Sequence, residues 1–353
     1  MLILAINLGS TSSKYAVYRD TEPVFVETIR HPKEELAGFP DIISQKDYRR
    51  KALLDGVREQ GVDIQTLDAV VARGGLTRPL PGGTFVIDEA MLEALEDPQA
   101  AKHASSLSGI IAYDIACNLK VPVFTVDPVV TDELEPLARI SGYDGIERVS
   151  IFHALNQKAV ARAAARQLGK KYEELNLIVA HMGGGVSVGA HRNGRVVDVN
   201  NCLDGDGPFS PERAGGLPVV SVLDLCCSGK YTRKELYDMF VKKGGFYSYL
   251  GVNDGRKAEE MAASGDEKAN LVLDAMAYQV AKEIGACAAV LSGRVDGIAL
   301  TGGLAYSKRL TAAIAERVSF IAEVLLFPGE NEMLALVEGA LRALRGEEEA
   351  KRF

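Results

Sequence analysis

The chain has 353 residues, 47% of them apolar and 25% charged. This is an ordinary globular composition, so disordered, collagen-like and coiled-coil proteins are excluded. With 48 acidic and 40 basic residues the net charge is −8, which argues against a nucleic-acid partner. No apolar run is long enough for a membrane span, and the five cysteines follow no disulfide or zinc spacing. We therefore expect a cytoplasmic protein with neither a membrane nor a nucleic-acid partner.

The first part of the chain begins with three predicted strands. The continuous apolar run at 2–8 is typical of a buried strand. The alternating runs at 14–19 and 24–29 predict two more strands, joined by turns. Helices and strands then alternate, with a broken helix at 34–60, a strand at 67–73, a helix at 104–119 and a strand at 121–127.

The second half repeats this plan from residue 176. Three strands are predicted at 176–182, 186–192 and 195–200. They are followed by a helix at 266–293, a strand at 295–303, a helix at about 307–318, a strand at 320–327 and a helix at 332–344. The repetition predicts two similar α/β domains, 1–149 and 150–331, with a ligand cleft between them. The C-terminal helix, 332–353, is expected to pack back on the first domain.

Glycine turns after buried strands are the main candidates for a ligand site. Neither a P-loop string nor a G-x-G-x-x-G string after a strand is present. The first glycine turn carries Asn7, Ser10, Ser12 and Lys14, whose hydroxyl, amide and ammonium groups could hold a phosphate. A serine-rich hairpin without a ligand would have the same pattern.

Two further glycine turns follow the strands of the second half. Glycine allows backbone N–H groups to approach an anion closely, although a plain strand-to-helix turn explains the last of these turns equally well. The residues concerned are His181, Gly183, Gly184 and Gly185 in one turn and Gly302 and Gly303 in the other.

Longer strings extend over nearly the whole chain. They include NLGSTSSK (7–14), ARGGLTRPLPGG (72–83), KHAS (102–105), VDPVVTDE (126–133), SIFHALNQKAVAR (150–162), LDGDGPFSPERAGGLPV (203–219), ALTGGLAYS (299–307) and PGENEM (328–333). These strings resemble the butyrate kinases, the medium-chain branch of the acetate kinase family among the actin-like ATPases. One departure is Leu8, where we expect the family to carry proline.

The resemblance implies a fold and an activity. The fold would be two ribonuclease-H-like, actin-like ATPase domains, each with a β-β-β-α-β-α-β-α core. The activity would be direct in-line transfer from ATP to butanoate with Mg²⁺, giving ADP and butanoyl phosphate. Acetate, propionate and branched-chain acids are alternative substrates, and a non-catalytic ATP-gated scaffold is an alternative of another class. Apart from these small molecules, the expected partner is a further copy of the chain in a homo-oligomer.

The resemblance also implies roles for single residues. Asp127 and Glu332 match a metal-linked pair, and Asp127 also matches the catalytic aspartate of the family. His153 and Arg213 match groups that stabilise the transferring phosphoryl group. Simpler roles are a turn for Asp127, a helix start for Glu332, a structural histidine for His153 and an ion pair for Arg213.

Two arginines are candidates for binding the substrate carboxylate. Arg73 is our choice, with Arg78 as the alternative, because acetate kinases place this arginine a few residues earlier relative to the glycine pair.

Overall fold

The computed structural model describes residues 1–97 and 104–353, so Lys102 and His103 of the KHAS string lie outside the described residues. Contacts divide the chain into two compact units. Unit 1 contains Met1–Thr131 and Asn331–Phe353, and unit 2 contains Asp132–Glu330. Within the described ranges, no helix is long and apolar enough to cross a membrane.

Unit 1 is built on a six-stranded sheet. Its strands are β1 (Leu2–Leu8), β2 (Ser12–Arg19), β3 (Glu22–Arg30), β4 (Ala69–Ala72), β5 (Thr84–Val86) and β6 (Val123–Val126). They lie in the order β3-β2-β1-β4-β6-β5. Strands β1 to β3 pair antiparallel, whereas β4 is parallel to β1 and β6 is parallel to β4. The carboxyl ends of β1, β4 and β6 therefore meet at one edge of the sheet, where ligands bind in many α/β proteins.

The first four helices also belong to unit 1. They are α1 (Lys33–Leu36), α2 (Lys46–Glu59), α3 (Glu89–Glu96) and α4 (Ala104–Leu119). Side chains of α4 such as Leu107 and Ile110 pack with Leu4 and Ile6 of β1 in one buried cluster. An apolar run on β1 is explained by this burial, because a strand covered on both faces has no polar side.

Unit 2 repeats the strand order of unit 1. Its strands are β7 (Asn176–Met182), β8 (Val186–Arg192), β9 (Arg195–Val199), β10 (Gly297–Gly302) and β11 (Val324–Pro328). The order β9-β8-β7-β10-β11 matches β3-β2-β1-β4-β6, with the same parallel and antiparallel pairs. The predicted duplicated α/β core is thus confirmed, with β5 as an additional edge strand in unit 1.

Unit 2 contains eight α-helices within its described residues, 132–330. They are α5 (Pro136–Arg139), α6 (Ala154–Gln167), α7 (Val219–Cys227), α8 (Arg233–Val241), α9 (Gly245–Leu250), α10 (Gly255–Ala263), α11 (Glu267–Val290) and α12 (Lys308–Val318). Along β7, Leu177 and Val179 pack with α6, whereas Ile178 and Ala180 pack with the cluster that contains α11. This alternation assigns odd-numbered residues of β7 to the α6 face.

The chain returns to unit 1 in α13 (Glu332–Leu344). Gly339 of this helix lies so close to β6 that a Cβ atom there would be 2.5 Å from the Val126 side chain. Thr84 of β5 donates from Oγ1 to the Gly339 carbonyl at 3.2 Å. These contacts hold α13 on the first sheet and place its N-terminal residue, Glu332, near the carboxyl edge.

Two sequence-based expectations differ from the structure. The segment 132–149, which the sequence placed before a boundary at 150, packs with unit 2, because Glu133 pairs with Lys158 at 2.9 Å and Arg148 with Asp198 at 2.8 Å. The strand expected from residue 320 begins at Val324, because residues 320–322 form a turn after α12.

Candidate functional site

The carboxyl edge of the first sheet brings three of the predicted residues together. Asn7, in β1, donates from Nδ2 to Glu332 Oε2 at 2.7 Å. Arg73, directly after β4, is 3.1 Å from the same oxygen through Nη1. Glu332 begins α13, where a carboxylate also suits the positive end of the helix dipole. The positive charge of Arg73 is therefore paired with the Glu332 carboxylate in this structure.

The serine-rich turn lies beside this cluster. Ser10, Ser12 and Lys14 line a cavity of about 560 Å³ within unit 1, together with Asn7 and Arg73. Among the described residues Lys14 forms no salt bridge. The five residues thus form one cavity wall with cationic, amide and hydroxyl groups, which is suited to an anion.

Arg78 is placed differently from Arg73. Its side chain is exposed, and its guanidinium lies 4.4 Å from the ring centroid of Phe353. The residue does not line the cavity described above. The assignment of the substrate carboxylate to Arg73 rather than Arg78 stays a prediction.

Arg49 of α2 donates hydrogen bonds to the backbone of the serine-rich turn. No motif in the sequence pointed to this residue. The side chain is fully buried. Its Nη1 donates to the carbonyl of Gly9 at 2.8 Å, and its Nη2 donates to the carbonyl of Ser10 at 2.7 Å. In a peptide unit the next N–H points away from the carbonyl. The N–H groups of Ser10 and Thr11 are thus directed away from Arg49.

We expect Arg49→Met to lower the free energy of unfolding by about 3 kcal/mol or more, because two buried carbonyls lose a charged donor. Arg50→Met is the matched control on the same helix. Arg50 pairs with Asp47 and Asp114 in partly exposed positions, so its loss should change stability by about 1 kcal/mol or less. Urea unfolding of both variants measures this difference, and equal midpoints would contradict the role of Arg49.

Asp127 follows β6 at the same carboxyl edge. It is almost fully buried, and its φ of 39° lies in the left-handed region, where aspartate occurs more often than most residues. Its Oδ1 accepts from Gly83 N at 2.7 Å, and its own N–H donates to the Gly83 carbonyl at 2.9 Å. These bonds fix the carboxyl group although the backbone conformation is unfavourable.

Two carboxylates of unit 1, Asp127 and Glu332, are the predicted ligands of a metal ion. Asp127 and Glu332 offer the hard oxygen donors that Mg²⁺ prefers. In the described part of the chain, no three His, Cys, Asp or Glu side chains gather as a metal site. Such a donor set suits an ion held mainly by phosphate oxygens and water, with one or two protein carboxylates.

In unit 2, the triple-glycine turn joins β7 to β8. Gly183 N donates to the Gly185 carbonyl at 2.9 Å. A Cβ atom at Gly185 would lie 2.1 Å from Arg213 Nη1 and 3.3 Å from His153 Cε1. Only glycine allows both side chains to lie against this turn, so the structure brings three predicted residues together here.

Two histidines stack beside this turn. The ring centroids of His153 and His181 are 3.7 Å apart, with an angle of 15° between the planes. Buried His181 contacts Asn156 Oδ1 through Nδ1 at 2.8 Å and Glu330 Oε1 through Nε2 at 3.2 Å. His153, at the start of α6, contacts Ser187 Oγ through Nδ1 at 2.9 Å.

Arg213 is held by its backbone and retains an unsatisfied donor. Ser210 Oγ accepts from Arg213 N at 3.0 Å and donates to the Gly184 carbonyl at 2.6 Å. Arg213 Nη1 donates to the Cys202 carbonyl at 2.8 Å. Its buried Nε has no partner within the described ranges. A buried guanidinium N–H group without a hydrogen-bond partner is suited to an anionic ligand.

An apolar cavity of about 480 Å³ opens beside Arg213 within unit 2. Its lining includes Val186, Leu217, Val222 and Phe240. Burial raises the pKa of the Cys202 thiol to about 11, so this lining residue is neutral at pH 7. The lining also contains Arg213, Arg233, Asp204 and Asp206, so the cavity combines charged groups of both signs with a mainly apolar wall.

The third predicted glycine turn lies next to the triple-glycine turn. Gly302 ends β10 with a φ of 87°, and a Cβ atom there would be 2.3 Å from the Met182 carbonyl oxygen. Gly303 has open space at its Cβ position. The parallel pairing of β10 with β7 places both turns at one edge of the second sheet. Roles of these glycines in nucleotide binding stay predictions.

Comparison with known proteins identifies the family of this chain. The model of the acetokinase family matches residues 141–331, which is more than half of the chain. The chain belongs to the acetokinase family. The matched segment contains His153, the triple-glycine turn and Arg213, whereas the residues of unit 1 lie outside it.

Solved structures with the same fold extend the likeness to the whole chain. An acetate kinase from Porphyromonas gingivalis has a TM-score of 0.82 at 18% identity, over 97% of this chain and 99% of that chain. A propionate kinase from Francisella tularensis has a TM-score of 0.75 at 19% identity, over 96% and 98%. An acetate kinase from Entamoeba histolytica has a TM-score of 0.77 at 17% identity, over 97% and 99%. The predicted two-domain, actin-like ATPase fold is therefore confirmed.

Proposed function

We propose that this acetokinase family member is a carboxylate kinase, with butanoate as its preferred acceptor. It would convert ATP and the acid to ADP and an acyl phosphate. The family match supports the reaction class. The observation that carries the choice of acid is the apolar cavity beside Arg213.

The reaction requires charge neutralisation rather than a base. A short-chain carboxylic acid has a pKa near that of glutamic acid, roughly 4.3, so it is ionised at pH 7. An anionic nucleophile must then approach an anionic phosphoryl group, and cations and hydrogen-bond donors lower that barrier. Unit 1 supplies Lys14 and the serine-rich turn for phosphate oxygens, and unit 2 supplies Arg213 and His153 for the transferring group.

Bound Mg²⁺ would neutralise charge on the nucleotide phosphates. Asp127 and Glu332 are the residues that would hold it, directly or through water. Glu332 is kept in place by Asn7 and Arg73, and Asp127 by the backbone of Gly83.

The cavity in unit 2 supports an acid longer than acetate. We propose that the alkyl tail of the acid occupies this cavity. Each buried methylene contributes about 0.8 kcal/mol, or roughly four-fold in affinity. Acetate and propionate, the acids in the names of the similar structures, are the alternative acceptors, and they would leave much of the cavity empty.

A panel of acids tests this choice. Formation of acyl phosphate from Mg-ATP and acetate, propionate, butanoate, isobutanoate or valerate can be measured by trapping with hydroxylamine. We expect kcat/KM to rise from acetate to butanoate by about ten-fold or more. A maximum at acetate or propionate would contradict the butanoate preference and leave the reaction class intact.

Filling the cavity provides a second test. Val222 of α7 lines the cavity, whereas Val220 of the same helix is exposed. Val222→Phe should lower kcat/KM for butanoate by about ten-fold and change that for acetate much less. Val220→Phe is the matched control, and equal effects of the two substitutions would contradict the assignment of the tail to this cavity.

A further inference from the structure

A row of buried polar side chains lies behind His153 on the α6 face of the second sheet. Ser187 and His191 of β8 point to this face, because Val188 and Ala190 of the same strand pack on the α11 side. Gln157 of α6 enters the space above Gly189, where a Cβ atom would be 2.5 Å from Gln157 Oε1. Ser187, Gln157 and His191 are fully buried, so their hydrogen bonds are made within the protein.

The orientation of Gln157 is fixed by a backbone group. Its Nε2 is 3.0 Å from the Ser187 carbonyl oxygen, which can only accept a hydrogen bond, and 2.8 Å from Ser187 Oγ. The NH₂ group must therefore face Ser187. Its Oε1 then faces His191 Nε2 at 3.0 Å and accepts the hydrogen bond.

The orientation of Gln157 determines where the protons lie on its two hydrogen-bond partners, His191 and Ser187. His191 carries a proton on Nε2, so the Nδ1 of its neutral ring accepts from the Tyr172 hydroxyl at 2.7 Å. The cationic groups of Lys158 and Arg162 lie 5.9 and 5.5 Å from the Tyr172 ring centroid. A further positive charge on His191 is unfavourable beside these cations.

The Ser187 hydroxyl connects Gln157 to His153 by hydrogen bonds. Its hydroxyl oxygen accepts from Gln157, so its proton is donated to His153 Nδ1 at 2.9 Å. A neutral imidazole that accepts at Nδ1 carries its proton on Nε2. With a proton on Nδ1 instead, the Ser187 hydroxyl would have no acceptor among the described residues, at a cost of about 1–3 kcal/mol.

The stacked His181 makes a charge on both histidine rings unfavourable. Two charged imidazoles with centroids 3.7 Å apart would repel each other by about 4 kcal/mol in a partly shielded environment. At most one ring therefore carries a charge.

We infer that the chain Tyr172–His191–Gln157–Ser187 positions His153 as a neutral Nε2–H hydrogen-bond donor. His153 then donates a hydrogen bond to a phosphoryl oxygen, and its own protonation state does not change during the transfer. The four other residues are positioning residues that fix the tautomer. The kinetic consequence rests on the proposed function, whereas the tautomer does not.

Nitrogen NMR of the full chain labelled with ¹⁵N-histidine tests the tautomer directly. The chain has only five histidines, and the signals of His153 are those lost in His153→Asn. We expect Nε2 protonated and Nδ1 unprotonated at pH 7. A proton on Nδ1, with or without one on Nε2, would overturn the inference.

Substitution of Ser187 tests the chain of hydrogen bonds. In Ser187→Ala we expect the Nε2–H form of His153 to lose its dominance, and kcat to fall by up to about 10²-fold with KM for ATP within about two-fold. Ser187→Thr retains the hydroxyl and should restore the wild-type tautomer. An unchanged tautomer in Ser187→Ala would refute the proposed positioning.

A matched control removes another buried hydroxyl of unit 2. Thr311 donates to the Ser307 carbonyl within α12, so Thr311→Val should leave the His153 signals unchanged. If a Ser187 variant does not fold, the wild-type spectrum still decides the inference. If wild type shows the expected tautomer but forms no acyl phosphate, the proposed function fails and the tautomer assignment stands.

Discussion

Arg213→Ala should lower kcat by about 10³-fold while ATP still binds. The guanidinium lies against Gly185 and has a buried Nε without a partner among the described residues. Cations that act on a transferring phosphoryl group contribute 10³-fold or more. Because Ser210 binds the Arg213 backbone and not its side chain, the loop should keep its conformation in the variant.

Steady-state kinetics and nucleotide titration measure the two parts of this prediction. Arg309→Ala is the control, since Arg309 is a partly exposed cation of unit 2 that pairs with Asp274 at 2.8 Å. It should retain turnover within about two-fold. An Arg213→Ala variant that also retained turnover within a few-fold would remove Arg213 from the catalytic residues.

Asp127→Asn should lower Mg²⁺-dependent turnover by about 10²-fold or more. Asparagine keeps the Oδ1 acceptor for Gly83 N and tolerates the left-handed backbone. The substitution thus removes the negative charge with little change in structure. The expected loss cannot be restored by raising the Mg²⁺ concentration if this carboxylate places the ion for transfer.

Asp68→Asn is the matched control for Asp127. Like Asp127, Asp68 accepts a hydrogen bond from a backbone N–H, that of Leu2 at 2.6 Å. This bond lies at the start of β1, away from the carboxyl edge of the sheet. Turnover, its Mg²⁺ dependence and thermal unfolding should be compared for both variants. Similar turnover of the two variants would show that Asp127 has only the structural role of its bond to Gly83.

The duplicated fold could be predicted because both sheets begin with the same pattern. Buried runs at 2–8 and 176–182 precede glycine turns in each half, and the sheets have matching strand orders. β5 and helices α3 and α5 to α10 were not predicted. The sequence of α7, for example, is VVSVLDLCC, which is apolar on nearly every side although none of its residues is buried, so it shows no periodicity typical of a surface helix.

The residues of the candidate site could be predicted only where a motif contains them. Asn7 and Arg213 stand within recognisable strings, whereas Arg49 lies in a polar helix, where nothing in its neighbourhood marks a buried charge. Gln157 follows His153 by one helical turn, and that spacing was a usable signal. The contact between Gln157 and His191 depends on tertiary packing, which periodicity does not give.

The central claim is that a carboxylate oxygen receives the terminal phosphoryl group of ATP. Phosphorus NMR of the enzyme with Mg-ATP and ¹⁸O-labelled butanoate tests it most directly. The account predicts an acyl phosphate signal, equal in amount to ADP and shifted by an ¹⁸O atom bonded to phosphorus. Formation of orthophosphate alone, at the same rate with and without the acid, would contradict it.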